Sequence, residues 1–441
     1  MTLPHALILA DFLIVALWAL TAARLFIALR AIPPLSHVLA EERAADPQCA
    51  PGGDPRFSGR EAPCAPLPPT LSVVVTARDE ADGIETTVRR LLAQRYPDLE
   101  IVVVDDRSTD GTGAILDRLR AVRPAGAPRL EVIHNKTLPE GWVGKCHACH
   151  LGAGRAGGSW ILFTDGDVAL EDPDLLVRVV SHAERRRLDH VAVFPDLRPM
   201  SPWQAGLVAV FGQLFILGSR LYEMTRDRPR GGGGIGAFNL VRRSAYDRIG
   251  GHQLLRMDLV DDYKLGMLLK ESGARQRFFN GAGLVRCPWH RGARNVVRGL
   301  EKNFFSGFNY SLIFLTAATA TLVTLSFGPA ILGAAVTALT WGSASPPLLV
   351  AAWLPLVIQS MSIFAGYFLE ARRYGYSPLT LTMLHPLSVA LVIVAAWNSA
   401  FTTLRQGGAR WRDTFYSLRA LRAGLVRPGA GRRFHETRTD S

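Results

Sequence analysis

Residues 6 to 29, ALILADFLIVALWALTAARLFIAL, form an apolar run broken only by Asp11 and Arg24. Crossing the hydrocarbon of a bilayer takes about 20 helical residues, and this run is long enough. A cleaved signal peptide has a basic start, a shorter apolar core and a small-residue cleavage site, none of which is evident here. The run therefore reads as an anchor over residues 1 to 30. Three further long apolar stretches follow near the other end, at about 311 to 341, 347 to 369 and 379 to 403. Together they dictate a chain held in a membrane at both ends, with a polar middle free to carry chemistry.

The charge fits that arrangement. Lys and Arg number 50 against 38 Asp and Glu, a formal net charge of +12. The excess lies beside the apolar runs and toward the C-terminus, where cytoplasmic segments of membrane proteins carry it. No helix-turn-helix, zinc-finger or RNA-binding signature is evident, so no nucleic-acid partner is expected. The five cysteines, at 48, 64, 146, 149 and 287, are an odd and scattered set, unlike a disulfide framework, and a reducing compartment follows. Residues 31 to 70 are rich in Pro, Gly and Ala and read as a linker.

The stretch near 203 to 222, WQAGLVAVFGQLFILGSRLY, is expected to lie on the bilayer as an interfacial helix. Membrane segments are assigned to 306 to 405 and a basic cytoplasmic tail to 406 to 441. A conflict follows: if all three C-terminal stretches cross, the Arg-rich tail lies on the side away from the soluble middle, against the positive-inside rule. Either the last stretch, with Pro378 and His385-Pro386, is re-entrant, or the tail breaks the rule.

Between the apolar ends the pattern changes at residue 71. Short β-branched runs, LSVVVTA, LEIVVVDD, LEVIHN, SWILFTDGD and HVAVFP, alternate with helical stretches. Continuous apolar strands are buried on both faces, and their alternation with helices implies βαβ units and a mostly parallel sheet. The expected fold class is α/β, with a nucleotide-binding type of domain over 71 to 305 between terminal transmembrane helices.

Two strand ends carry the chemistry. VVVDDRSTDGT places Asp105 and Asp106 at the carboxyl edge of the sheet, where open α/β sheets bind ligands, and then turns into a helix. ILFTDGDV sets Asp165 and Asp167 in an Asp-x-Asp pair just past another strand, a donor set for Mg²⁺ or Mn²⁺. A glycine run, Gly231 to Gly234 and Gly236, permits close backbone approach.

These segments, with SVVVTARDE at the first strand, RGGGGIGAFNLVRRSAYDRIGG at 230 to 251 and VDDYKLGMLLKESG at 260 to 273, occur in the order found in family 2 glycosyltransferases of the GT-A fold. The chain resembles that family over about residues 71 to 305. The resemblance implies that Ala77, Arg78 and Glu80 line the base and ribose of a nucleotide-sugar donor, with a UDP-sugar expected, and that Asp105 and Asp106 contact uracil or ribose. It implies that Asp165 and Asp167 hold the metal and diphosphate, Asp167 the more directly. Asp261 and Asp262 take the place of the family's acidic pair, with Asp262 the general base, and Gly233, Gly234 and Gly236 face the acceptor. Lys145 matches the family's Gly-Lys and meets the nucleotide or diphosphate.

Processive members carry a Gln-x-x-Arg-Trp motif where this chain has Trp289, His290 and Arg291, so transfer of a single sugar is expected, and Arg294 or Arg298 remain available to the diphosphate. The segment TLPEGWVGKCHACHLG is similar to that of hopene-associated and carotenoid-acid glycosyltransferases, which implies a lipid acceptor, a hopanoid-, carotenoid- or sphingolipid-like one, and a multi-pass inner-membrane enzyme with its catalytic domain in the cytoplasm. A polyisoprenyl-phosphate sugar synthase and a non-catalytic membrane scaffold are the alternatives. Cys146-His-Ala-Cys149-His150 spells the c-type haem attachment pattern, which the cytoplasmic setting argues against. Cys146 and His150 share a helix face and raise a zinc site as a second reading, one that lacks evident further ligands.

Overall fold

The computed structural model describes residues 2–45, 68–224, 231–288, 299, 304–427 and 429. The helices, in chain order, are α1 (Leu3–Arg30), α2 (Leu35–Ala45), α3 (Ile84–Leu92), α4 (Thr112–Ala121), α5 (Gly144–Arg155), α6 (Leu175–Arg185), α7 (Pro202–Ser219), α8 (Arg243–Arg248), α9 (Asp261–Glu271), α10 (Leu312–Leu339), α11 (Pro346–Tyr374), α12 (Pro378–Gln406) and α13 (Leu418–Ala423). The strands are β1 (Leu71–Ala77), β2 (Leu99–Asp106), β3 (Arg129–Asn135), β4 (Trp160–Asp165), β5 (Ala169–Leu170), β6 (His190–Phe194), β7 (Asn239–Arg242), β8 (Gln276–Asn280), β9 (Val285–Arg286), β10 (Gly408–Trp411) and β11 (Thr414–Ser417). They divide into two units, one of Ala31–Leu197, Ser219–Pro288 and Ala423–Ser441, the other of Met1–Arg30, Arg198–Gly218 and Trp289–Arg422.

The first unit is built on a seven-stranded sheet of order β3-β2-β1-β4-β7-β6-β8. β7 runs antiparallel to β4 and β6, and the other pairs are parallel. The apolar runs are explained by their burial on both faces: Val73, Val75, Ile101 and Val103 join one core cluster, while Val74, Ile161 and Phe163 join another. In the parallel register Ala77 pairs with Asp105, Asp106 with Asn135, and Thr76 with Asp165. Three strand ends and their carboxylates therefore share one edge, as α/β topology dictates.

Two expectations about boundaries change. The linker 31–70 contains α2, whose Leu35 and Leu39 are buried in the core of this unit, and Asn280 donates its N–H to Pro33 O at 3.0 Å. Two leucines one turn apart suffice to dock a short helix despite the Pro- and Gly-rich composition around it. Nor is 406–441 simply a tail: β10 pairs with β11, Val426 enters the core beside Leu265 and Leu268, and Lys264 Nζ donates to Val426 O at 2.8 Å.

The second unit collects the apolar helices. α1, α7, α10, α11 and α12 are each long and apolar enough to cross a membrane. α7, expected as an interfacial helix, packs Leu207 and Val210 against Val389 and Val392 of α12, and a Cβ on Gly206 would strike Ser388 Oγ. Trp203 at its start stays exposed.

Candidate active site

The edge formed by β1, β2 and β3 is held by side-chain to backbone bonds. Asp79 and Arg107 both adopt positive φ, +53° and +60°, where the chain turns sharply off β1 and β2. Asp79 Oδ1 accepts from Thr109 N at 2.7 Å, Asp110 Oδ2 from Ala81 N at 2.9 Å, and Glu80 N donates to Thr112 Oγ1 at 2.9 Å. The two loops are thereby laced into one surface, and the half-buried Glu80 is fixed through its backbone.

Asp106 and Asp105 alternate in direction, as neighbours on a strand must. Asp106 accepts from Asn135 Nδ2 at 2.7 Å and from Arg107 Nη2 at 2.7 Å, with Arg78 Nη1 at 3.5 Å. Asp105 turns to His134 Nδ1, 3.0 Å away, and its hydrogen bond is the main force raising the His134 pKa. The sequence reading groups the two aspartates in one role, and the structure separates them. Asn135 and Arg107, which that reading passes over, are the side chains that complete the Asp106 pocket. α5 enters the same pocket, and Gly144 is required there: a Cβ would lie 2.6 Å from Asp106 Oδ2 and from Arg107 Nη2.

Across the edge, β4, the glycine segment and α9 bring opposite charges together. Lys145 Nζ stands 2.7 Å from Asp165 Oδ1. Asp262 Oδ2 accepts from Gly236 N and Oδ1 from Tyr263 N, each at 2.7 Å. A Cβ on Gly236 would meet Asp165 Oδ2 at 2.6 Å, Lys145 Nζ at 3.0 Å and Asp262 Oδ2 at 3.1 Å, so the two acids and the lysine converge on one glycine. Burial opposes charge on Lys145, yet Asp165, Asp261 and Asp262 around it hold its ammonium well above the usual range. Burial, then the neighbouring Asp165, pushes Asp167 up to about 6.

Gly233 and Gly234 have a packing role beside this space. A Cβ on Gly233 would strike Leu221 and Tyr263, and one on Gly234 would strike the Asp262 carbonyl, so both serve close packing on α9. Asp167 lies beside Cys287, 3.9 Å from its sulfur, while Asp165 lines the small cavity shared with Lys145, Gly236 and Asp262. Asp261 is buried beneath, pushed up to about 7 by that burial against the pull of Lys145. Arg294 and Arg298, with Trp289, His290 and Arg291, lie outside the described residues.

The Cys-x-x-Cys-His segment is also resolved. His150 stacks on Trp142 with ring centroids 5.0 Å apart, and Cys146 Sγ donates to Asp258 O at 3.2 Å, so this pair does not converge on an ion. The helical i, i+4 spacing is present, but tertiary neighbours draw the two side chains apart. Cys149, His252 and Asp261 instead bring ligand atoms within 4.8 Å of one another, a combination no local pattern reveals.

The profile of the family described as Glycosyl transferase family 2 matches residues 72–250. These residues are a family 2 glycosyltransferase domain. A 4,4'-diaponeurosporenoate glycosyltransferase of Staphylococcus haemolyticus is 24% identical over 241 residues, 54% of this chain and 62% of that protein. A beta-monoglucosyldiacylglycerol synthase of Synechocystis is 28% identical over 304 residues, 65% of this chain and 56% of that protein. The chain thus spans less than two thirds of either relative. Among solved structures, a mannosyltransferase from Pyrobaculum calidifontis in complex with GDP-Man and Mn²⁺ is 20% identical with a TM-score of 0.47, covering 87% of this chain and 98% of that one.

Proposed function

We propose that the protein is a membrane-bound inverting glycosyltransferase that moves one sugar from a nucleotide sugar, expected to be a UDP-sugar, to a hydroxyl or carboxyl group of a lipid. The observation that carries this reading is the convergence of Asp165, Lys145 and Asp262 on Gly236 at the carboxyl edge of the sheet. Departure of a nucleoside diphosphate leaves negative charge that must be met by fixed positive charge, and the acceptor must lose a proton.

Lys145, kept protonated by its acidic neighbours, is a fixed cation beside Asp165 and Asp262. Asp165 and Asp167 would hold a divalent Mg²⁺ or Mn²⁺. A buried carboxylate whose pKa is raised by burial and then by its acidic neighbour, as Asp167 is beside Asp165, forms with that neighbour a site that a hard cation would relieve, and when bound it would neutralise the leaving diphosphate. Asp262, both of whose oxygens are held by backbone N–H groups, is a positioned carboxylate able to take the acceptor proton. Attack opposite the departing diphosphate is a single displacement and inverts the anomeric centre. The Asp106 pocket, with Arg78, Arg107 and Asn135, would hold base and ribose.

The lipid acceptor is supported by the lipid-linked names of two relatives and by the exposed apolar helices. Incubating membranes with labelled sugar nucleotides and extracting the lipids tests donor and acceptor together. One labelled lipid product is expected, a glycoside that survives alkali if the acceptor is a hydroxyl or an ester that alkali cleaves if it is a carboxyl. Label released by mild acid would identify a phosphate acceptor instead, and no labelled product from any donor would overturn the reading.

A further inference from the structure

We infer that α12 does not cross the bilayer and that α7 and α12 lie within one leaflet, their exposed faces against acyl chains. This rests on the membrane reading above and adds to it a topology that the apolar stretches alone leave contradictory.

The first argument is one of parity. Residues 31–197, 219–288 and 423–429 belong to one folded unit, with Val426 in its core. Such a unit sits wholly on one side of a bilayer, because its polar backbone edges and charged surface cannot enter hydrocarbon. Every excursion of the chain out of it must therefore cross an even number of times. The excursion 198–218 contains one apolar helix, α7, which cannot cross. The excursion 289–422 contains α10, α11 and α12, and residues 289–303, HRGARNVVRGLEKN within them, are too polar to add a crossing. At least one of the three helices therefore does not cross, and two cross if the chain is held there at all.

Packing identifies which. Trp353 Nε1 donates to Thr337 Oγ1 at 3.0 Å and Gln359 Nε2 to Leu325 O, so α10 and α11 run antiparallel and the start of one lies level with the end of the other. Tyr376, between α11 and α12, donates to Pro199 O at 3.5 Å, just before α7. The far part of α12 stays at that same end: Trp397 Nε1 donates to Thr319 Oγ1 at 3.0 Å, Phe305 N to Ser399 Oγ at 3.0 Å, and beyond the helix Arg422 Nη2 to Tyr310 O at 2.9 Å. α12 leaves and returns at one end of the α10–α11 hairpin although its 29 residues, about 43 Å of helix, could span if upright. It therefore lies across the hairpin.

Its surface suits that position. Leu379, Met383, Leu387, Val394 and Phe401 recur at spacings of four and seven and form one exposed apolar stripe, while His385, Ser388, Ser399 and Thr403 are buried on the opposite side. Exposed Trp203 at the start of α7 matches the interfacial preference of tryptophan. The occupant of the stripe is the acyl layer of the leaflet, because the helix is continuous with the crossing hairpin it packs on. Three crossings remain, α1, α10 and α11, and the Arg-rich C-terminus lies on the side of the folded unit.

Single cysteines added to the native chain at Thr2, Ser345, Ser377 and Ser441 test this with a membrane-impermeant maleimide on sealed vesicles of both orientations, the native chain giving the background. Thr2→Cys and Ser345→Cys should label in one orientation, and Ser377→Cys and Ser441→Cys in the other, each losing its label when the vesicles are inverted. Labelling of Ser441→Cys together with Ser345→Cys would overturn the inference, as would Ser377→Cys and Ser441→Cys on opposite sides. Release of the protein by alkaline carbonate would instead remove the membrane reading itself.

Discussion

The two ends of the candidate site surround their carboxylates in different ways. Around β2, each acid is met by donors: Asp106 by Asn135, Arg107 and Arg78, Asp79 by Thr109, and Asp110 by Ala81 and Thr112. Around β4 and α9, backbone N–H groups hold Asp262, but Asp165, Asp261 and Asp262 crowd about the one Lys145, and burial pushes Asp167 to about 6 and Asp261 to about 7. The first region is a finished surface, suited to holding a base and ribose without rearrangement. The second carries unrelieved charge, which a cation and a diphosphate would relieve, and in the proposed reaction that is where charge develops.

Breaking the second region should cost most. Stripping divalent ions with EDTA should reduce transfer to background, with recovery on adding Mg²⁺ or Mn²⁺; turnover unchanged after exhaustive chelation would remove Asp165 and Asp167 as ligands. Asp262→Asn should lower kcat by about 10²–10⁴-fold, the usual worth of a general base, with donor KM little changed, as initial rates on labelled donor would show. Lys145→Met should lower kcat by roughly 10²-fold, the scale for one charge-stabilising donor, and an effect confined to KM would assign it to binding alone.

Disturbing the first region should read out differently. Asn135→Ala leaves Asp106 short of a donor in a buried site, at a cost of about 1–3 kcal/mol, and should raise donor KM while sparing kcat. Equal losses in both would show that the two regions are not functionally separable.

The smallest effect concerns stability. Burial pushes His190 down to about 4 and His252 to about 3 from 6.5. The unfolded chain gains these protons as pH falls through 6.5 and the folded chain does not, so stability complete above 6.5 declines toward about 4, by at most ~1.4 kcal/mol per pH unit for each histidine. Melting of the detergent-solubilised protein at successive pH values should show that decline, and His190→Gln should flatten it.

Much of the strand pattern was legible because a parallel strand buried on both faces must be apolar throughout, and its carboxyl edge is where Asp105, Asp106 and Asp165 then fall. What misled was composition read locally. The stretch 31–70 has a linker's residues, yet Leu35 and Leu39 find a core, and nothing near them in the chain announces it. The close packing of Gly233 against Leu221 and the Tyr263 ring, and of Gly234 against the Asp262 carbonyl, was likewise not legible, because those partners lie elsewhere in the chain. Cys146 and His150 share a helix face by periodicity, yet Asp258 and Trp142 claim them separately.

The sequence by itself determined the α/β class, the apolar helices and the acids at the strand ends, since each follows from a local period or a strand's direction. Only the tertiary structure decided that Asp105 and Asp106 part company, that Asn135, Arg107 and Gly144 close one pocket, and that Lys145, Asp165 and Asp262 meet at Gly236. It also returned Val426 to the core, from which the parity of the membrane crossings follows. The reason is common to all of these: they are contacts between residues distant in the chain, and hydrophobic period and turn chemistry carry no information about which distant surface a side chain will meet.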